Sequence, residues 1–158
     1  MARRLKTTMA DKLKVKRVVK KKRPLTIGEQ HQLAKKTRSG FETKALNVLD
    51  TYDVTYEYEP KDKKLEYIVP EKSHKYLPDI LIDNYIFELK GYIPSGDLSI
   101  RMKYVYVQEQ NPDYKVVMVF QNPNLKVTKN AKTTYKEWFE GKGITSIDFK
   151  QFDKLMKH

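Results

Sequence analysis

The chain has 158 residues, 33% of them charged, with no cysteine and a formal net charge of +12. That length suits one domain with a real core, and the lack of cysteine excludes disulfides and thiolate zinc sites and fits a reducing compartment. No apolar run approaches membrane-spanning length, and the basic N-terminus lacks the apolar segment of a secretory signal, so a cytoplasmic protein is expected.

The charge is unevenly spread. Residues 1–38 hold fourteen Lys or Arg against Asp11 and Glu29, while residues 39–158 hold eighteen basic and eighteen acidic residues. The whole excess therefore sits in the first stretch, which contains "KVKRVVKKKRP". Such a block reads as a flexible tail that binds polyanions, with a solubilising or localisation role as the plainer readings. The chain divides on this basis into a basic tail, 1–38, and a compact domain, 39–158. Within the tail, "TIGEQHQLAKK" is expected to form a short helix, because Thr26 and Glu29 have capping-box spacing.

From Ser39 the elements follow in order. "SGFETKALNVLDTYD" reads as a helix with Phe41, Ala45, Val48 and Leu49 on one stripe. "VTYEYEP" alternates as a strand, "KDKK" turns the chain, and "LEYIVP" is a second strand. "EKSHKYL" leads to "PDILIDNYIFELKG", which reads as a hairpin. "GDLSIRMKYVYVQEQNP" is expected to be a helix, with Asp97 as N-cap and Pro112 beyond its end. "YKVVMVFQ" reads as a buried strand and "TTYKEWFEGKG" as a helix closed by glycine. "ITSIDF" is a short strand, and "KQFDKLMKH" a final helical turn or two. The sum is an α/β domain, a mixed β-sheet flanked by helices.

The hairpin carries the chemistry. A two-residue turn at Asp83-Asn84 pairs Ile82 with Tyr85, Leu81 with Ile86, Ile80 with Phe87 and Asp79 with Glu88. Alternation puts Ile80, Ile82, Tyr85, Phe87 and Leu89 on one face. Asp79, Glu88 and Lys90 then share the other face with Leu81 and Ile86. Opposed strand residues have Cβ atoms roughly 5 Å apart, so Asp79 and Glu88 would repel without a cation. Oxygen ligands select a hard ion such as Mg²⁺ or Mn²⁺. Lys90 is placed to touch a metal-bound water or a phosphate. Pro78-Asp79, eight intervening residues, then Glu88-Leu89-Lys90 is the PD-(D/E)xK nuclease pattern. The competing reading is an edge hairpin with solvated polar residues.

From Ser39 to about Phe149 the chain resembles the phage endonuclease I family, the Holliday-junction resolvases of that superfamily. The resemblance is carried in order by "SGFE", "YEYE", "YIVPEKSHKYLPDILI", "FELKG", "EQNP", "VVMVF" and "YKEWFEGKGI". It implies a restriction-endonuclease-like fold in an intertwined, domain-swapped homodimer acting in the cytoplasm of a host cell. The activity it implies is hydrolysis of branched DNA by paired nicks across a four-way junction. The site it implies is Glu42, Asp79, Glu88 and Lys90, with Asp79, Glu88 and Glu42 holding one or two Mg²⁺ (or Mn²⁺) and no small-molecule cofactor. The stretch from Leu65 to Pro70 would bridge the exchanged parts, so that Glu42 acts on the partner's site. The tail departs from the family, which starts nearer its "SG-E" helix.

Several residues keep two readings. Glu42 is spaced from Ser39 as a capping box, which would occupy its carboxylate at the helix start. His74, and Lys75 beside it, either contact DNA or brace the loop before Asp79. Arg101 and Lys103 either touch phosphate or form a solvated helix face. Two rival functions also stand: another nuclease of the superfamily, restriction-like or acting at transposon ends, and a non-catalytic DNA-binding protein with a degenerate nuclease fold.

Overall fold

In the computed structural model, the described residues are 24–69, 72–94 and 97–157. The basic run in 1–23 lies outside them, as does Pro70, the expected stiff end of the bridge.

The expected N-terminal helix is present as α1 (Ile27–Lys36), opened by a capping box between Thr26 and Glu29. Its Leu33 is buried in the core, so packed structure extends upstream of Ser39. Helix α2 (Gly40–Thr51) follows with Ser39 as N-cap and buries Phe41, Ala45, Leu46 and Leu49. Val48, expected on this stripe, is only partly buried.

Strand β1 (Glu57–Tyr58) is shorter than "VTYEYEP" suggested. Strands β2 (Leu65–Val69) and β3 (Lys72–Tyr76) form a separate antiparallel hairpin. β3 forms where the sequence leads one to expect only a lead-in to the next hairpin, since four of its five residues are exposed and polar and give no apolar alternation. β2, which lies in the stretch expected to bridge the exchanged parts, pairs over its full length with β3 of its own chain.

The main sheet has the order β1-β4-β5-β6-β7, adding β4 (Ile80–Ile82), β5 (Tyr85–Lys90), β6 (Lys115–Phe120) and β7 (Thr145–Asp148). β1, β4 and β5 pair antiparallel in succession, whereas β5, β6 and β7 pair in parallel. The β4–β5 register is the one read from the sequence for Ile80–Phe87, Leu81–Ile86 and Ile82–Tyr85. Asp83 takes a left-handed φ of 52° in the turn, which Asp tolerates better than most residues. Helices α3 (Leu98–Gln110), capped by Asp97, α4 (Tyr135–Glu140) and α5 (Phe149–Met156) complete the set.

Three layers result. One sheet face presents Ile80, Ile82, Tyr85, Phe87, Leu89, Val117 and Val119 to α1, α2 and α5. The other presents Leu81, Ile86, Val116, Met118 and Phe120 to α3, α4 and the β2–β3 hairpin. The alternation along β4 and β5 sorts the side chains as the hairpin reading required. Glu88 and Lys90 stand near the carboxyl end of β5, where open α/β sheets place their ligands.

Candidate active site

Glu88 is 3% exposed, among the few charged residues in the core. Three donors converge on its carboxylate. Tyr76 from β3 donates to Oε2 at 2.5 Å, and Tyr104 from α3 donates to Oε1 at 2.8 Å. Lys90 Nζ is 2.6 Å from Oε1. Burial alone would raise the Glu88 pKa, but Lys90, the Lys103 charge and these hydrogen bonds outweigh it and hold the group below the usual carboxylate range.

Asp79 stands just before β4. Its Oδ2 accepts the Leu89 N–H at 2.9 Å, one residue beyond Glu88 on β5, and the β4–β5 ladder begins at Ile80. Lys90 Nζ is 4.0 Å from Oδ2, and Arg38 Nη2 is 4.0 Å from Oδ1. Burial first, then the Glu88 charge, pushes the Asp79 pKa up to about 7. Desolvation lowers the Lys90 pKa, yet Glu88 and Asp79 raise it further, so Lys90 stays an ammonium.

Glu42 joins from α2. Its Oε1 accepts the Ser39 hydroxyl at 3.0 Å, and its Oε2 accepts the Arg38 N–H at 2.9 Å and the Tyr58 hydroxyl at 2.5 Å. The reciprocal capping bond thus goes to Arg38, one residue before the cap. Burial raises the Glu42 pKa, but these hydrogen bonds and the Arg38 charge bring it below the ordinary value. The Glu42 charge is felt at both Asp79 and Lys90. Arg38 also pairs with Glu59, whose φ of 45° is unusual for a non-glycine residue and whose N–H donates to the Asp79 carbonyl at 3.1 Å. The four residues expected at the site, Glu42, Asp79, Glu88 and Lys90, are therefore neighbours within one chain.

Of the expected DNA contacts, Lys103 stands beside this group. His74 is exposed on β3 and stacks on Tyr67 with ring centroids 5.2 Å apart. Lys75 is exposed beside Glu66, at 3.9 Å. Arg101 is 6% exposed, its guanidinium 4.8 Å from the Trp138 ring centroid, so its side chain is committed to packing. Lys103 is half-buried, not on a solvated face, with Nζ over the rings of Tyr76 and Tyr104. Sequence reasoning missed Arg38, Tyr58, Glu59, Tyr76 and Tyr104. Only Tyr76 carried a signal, since it lies three residues before Asp79 in "HKYLPD". Arg38 reaches Glu42 locally, four residues on, and Tyr58, Glu59 and Tyr104 meet the site only through tertiary structure.

The Phage endonuclease I family model matches residues 25–157. Endodeoxyribonuclease 1 of Enterobacteria phage T3 is 37% identical over 112 residues, covering 70% of each chain. Endonuclease I of Escherichia phage T7 is likewise 37% identical over 112 residues, covering 70% of this chain and 72% of its own. The chain belongs to the phage endonuclease I family. It is thus a nuclease by family, and no helix among the described residues is long and apolar enough to cross a membrane.

The donor set fits a hard divalent cation, because every carboxylate offers oxygen only and no cysteine is available. Among the described residues no three acidic or imidazole groups are gathered as a ready metal cluster. Arg38 and Lys90 supply the nearby positive charge instead. That charge is insufficient: Asp79 still holds its proton up to about pH 7. A further positive charge here would favour the ionised form of Asp79 beside Glu88.

Proposed function

We propose that the protein is a structure-selective endodeoxyribonuclease that resolves four-way junctions and other branched DNA by paired hydrolytic nicks, as a homodimer using Mg²⁺ or Mn²⁺. What supports this reading is the convergence of Asp79, Glu88, Lys90 and Glu42 at one end of the sheet in a chain of the endonuclease I family.

Asp79, Glu88 and Glu42 would hold one or two ions. A bound divalent cation supplies an activated water and neutralises charge on the phosphate. The chain's own part is positional. Asp79 gives up its proton before it can serve as a ligand. Glu88 is already ionised and fixed. Lys90, which keeps its proton, stabilises developing negative charge or orients the water rather than abstracting a proton. A cleft of about 390 Å³ is lined by Phe41, Lys44, Gln121, Pro123, Asn124, Asp148, Phe149 and Lys150 and by none of the four site residues, and its Gln121 N–H bonds the Lys90 carbonyl. Its lysines and amides suit a sugar-phosphate backbone, which positions DNA without reading bases.

In the homodimer, α2 and β1 of each copy would occupy on the other the place they take here on their own sheet. The turn at 60–64 would then be the hinge, since it precedes the intact β2–β3 hairpin. Cleavage of an immobile four-way junction beside its separate linear arms, with Mg²⁺ and with EDTA, tests the reading. Cutting confined to the junction and to Mg²⁺ is expected. Equal cutting of the arms would point to a different nuclease, and binding without cutting in both conditions to a non-catalytic protein.

A further inference from the structure

We propose that Tyr76 and Tyr104 are positioning residues that fix the single oxygen lone pair with which Glu88 engages a metal ion. The inference rests on the reading of Glu88 as a metal ligand.

An ionised carboxylate has about four acceptor directions. On Oε1 of Glu88, Tyr104 and Lys90 take two of them, at 2.8 and 2.6 Å. On Oε2, Tyr76 takes a third at 2.5 Å. Among the described residues, no donor takes the remaining direction, on Oε2. The carboxylate cannot rotate without breaking a bond to one of its donors: Tyr76 on β3, Tyr104 on α3 or Lys90 on its own β5. Without the two hydroxyls, Glu88 would be free to close on Lys90 alone, and the ammonium would then compete with a metal for the same oxygens.

The tyrosines are themselves held. They are 3% and 1% exposed, so their hydroxyls are beyond the reach of DNA. Their rings meet edge to face at 6.1 Å. Lys103 Nζ lies 5.3 Å from the Tyr76 centroid and 4.5 Å from that of Tyr104, within cation–π range of both. Buried phenols need an acceptor, and a plain core role would be met by any acceptor. Here both hydroxyls converge on the two oxygens of one active-site carboxylate, as partners of metal ligands characteristically do.

The test uses full-length Tyr76→Phe, Tyr104→Phe and the double variant, which keep the rings and remove only the hydroxyls. Mn²⁺ binding is measured by calorimetry without DNA, alongside the Mg²⁺ dependence of junction cleavage and the melting temperature of the metal-free protein. Each single variant is expected to bind Mn²⁺ about 10–100-fold more weakly. Half-saturating Mg²⁺ should rise by a similar factor, with a smaller change in the rate at saturating Mg²⁺. Lower melting temperatures with unchanged Mn²⁺ affinity would overturn the proposal, since a packing role alone moves the first and not the second. A Glu88→Gln arm separates the two layers of the argument. If that variant binds Mn²⁺ normally, the metal-ligand reading falls. If it loses Mn²⁺ while both tyrosine variants bind like the parent, only the positioning role falls.

Discussion

Glu88 lies 3% exposed on a central strand, gripped by two tyrosines and a lysine, whereas Glu42 stands in the first turn of a helix, bonded to its cap, a backbone N–H and Tyr58. The first carboxylate is set by core packing on both sides of its sheet. The second is set by a helix end and by Arg38, whose side chain is 68% exposed. Burial makes the sheet-borne half rigid and electrostatically costly. Exposure makes the helix-borne half cheap to rearrange, as an incoming ion or a partner chain would require. Four experiments probe that division.

The largest effect is expected in the sheet-borne half. Asp79→Asn or Glu88→Gln should reduce junction cleavage to background while junction binding, read by gel shift, stays largely intact. On the proposed reading both acids would act on the metal and the water rather than on DNA. Either variant cutting at the parental rate would remove the active-site assignment.

Next comes the question of which chain supplies Glu42. In a purified heterodimer of a Glu42→Ala chain and an Asp79→Asn chain, exchange of α2 between copies gives one doubly defective site and one intact site. The proposed dimer should then nick the junction at about half the parental number of sites. If each α2 stays on its own sheet, as a lone chain can fold, every site carries one defect. A heterodimer that is folded and bound to DNA but as inactive as either mutant homodimer would rule out the exchange.

The third effect is thermodynamic. Asp79 holds its proton to about pH 7 in the folded state, against an ordinary value of 3.8. The folded protein therefore binds the proton more tightly than the unfolded one. Metal-free stability should fall as pH rises from about 4 to about 7 and stay low above it. At roughly 1.4 kcal/mol per unit of pKa difference, the loss is a few kcal/mol at most. Asp79→Asn should thus raise the melting temperature of the metal-free protein by several degrees at pH 8 and by little at pH 4. An equal change at both pH values would mean that the carboxylate is not electrostatically strained.

The same division explains what the sequence disclosed. Alternation along "DILIDNYIFELK" is set locally, so the register of Ile80–Phe87 and Leu81–Ile86 and the sorting of faces could be read directly. The helix caps at Thr26, Ser39 and Asp97 were equally local. Asp79 escaped that logic, because its side chain turns to the Leu89 N–H instead of continuing the ladder. β3 was hidden by its exposed polar residues. Tyr104, sixteen residues from Glu88, and Tyr58, sixteen from Glu42, could not be assigned to the site without tertiary structure. The solvated-face reading of the basic residues on α3 did not foresee that Arg101 and Lys103 lie over aromatic rings, with the Lys103 charge also felt at Glu88.

The smallest effect tests whether Glu42 is more than a cap. Ser39→Ala removes the hydroxyl that accepts the Glu42 N–H at 3.2 Å and donates to Oε1 at 3.0 Å. Loss of such an N-cap costs about 1 kcal/mol. Glu42 keeps its bonds from Arg38 and Tyr58, so its carboxylate stays near Asp79 with one fewer restraint. Cleavage should fall only a few-fold, and Ser39→Thr should restore it, because threonine also caps. Glu42→Gln provides the contrast: it keeps hydrogen-bonding capacity at the helix start but removes the charge felt at Asp79 and Lys90. If Glu42 serves the metal, Glu42→Gln should lose most cleavage with a stability change no larger than that of Ser39→Ala. If it is only a cap, the two variants should share the same small loss of stability and the same nearly full activity. Melting curves and junction-cleavage rates on the pair decide between them.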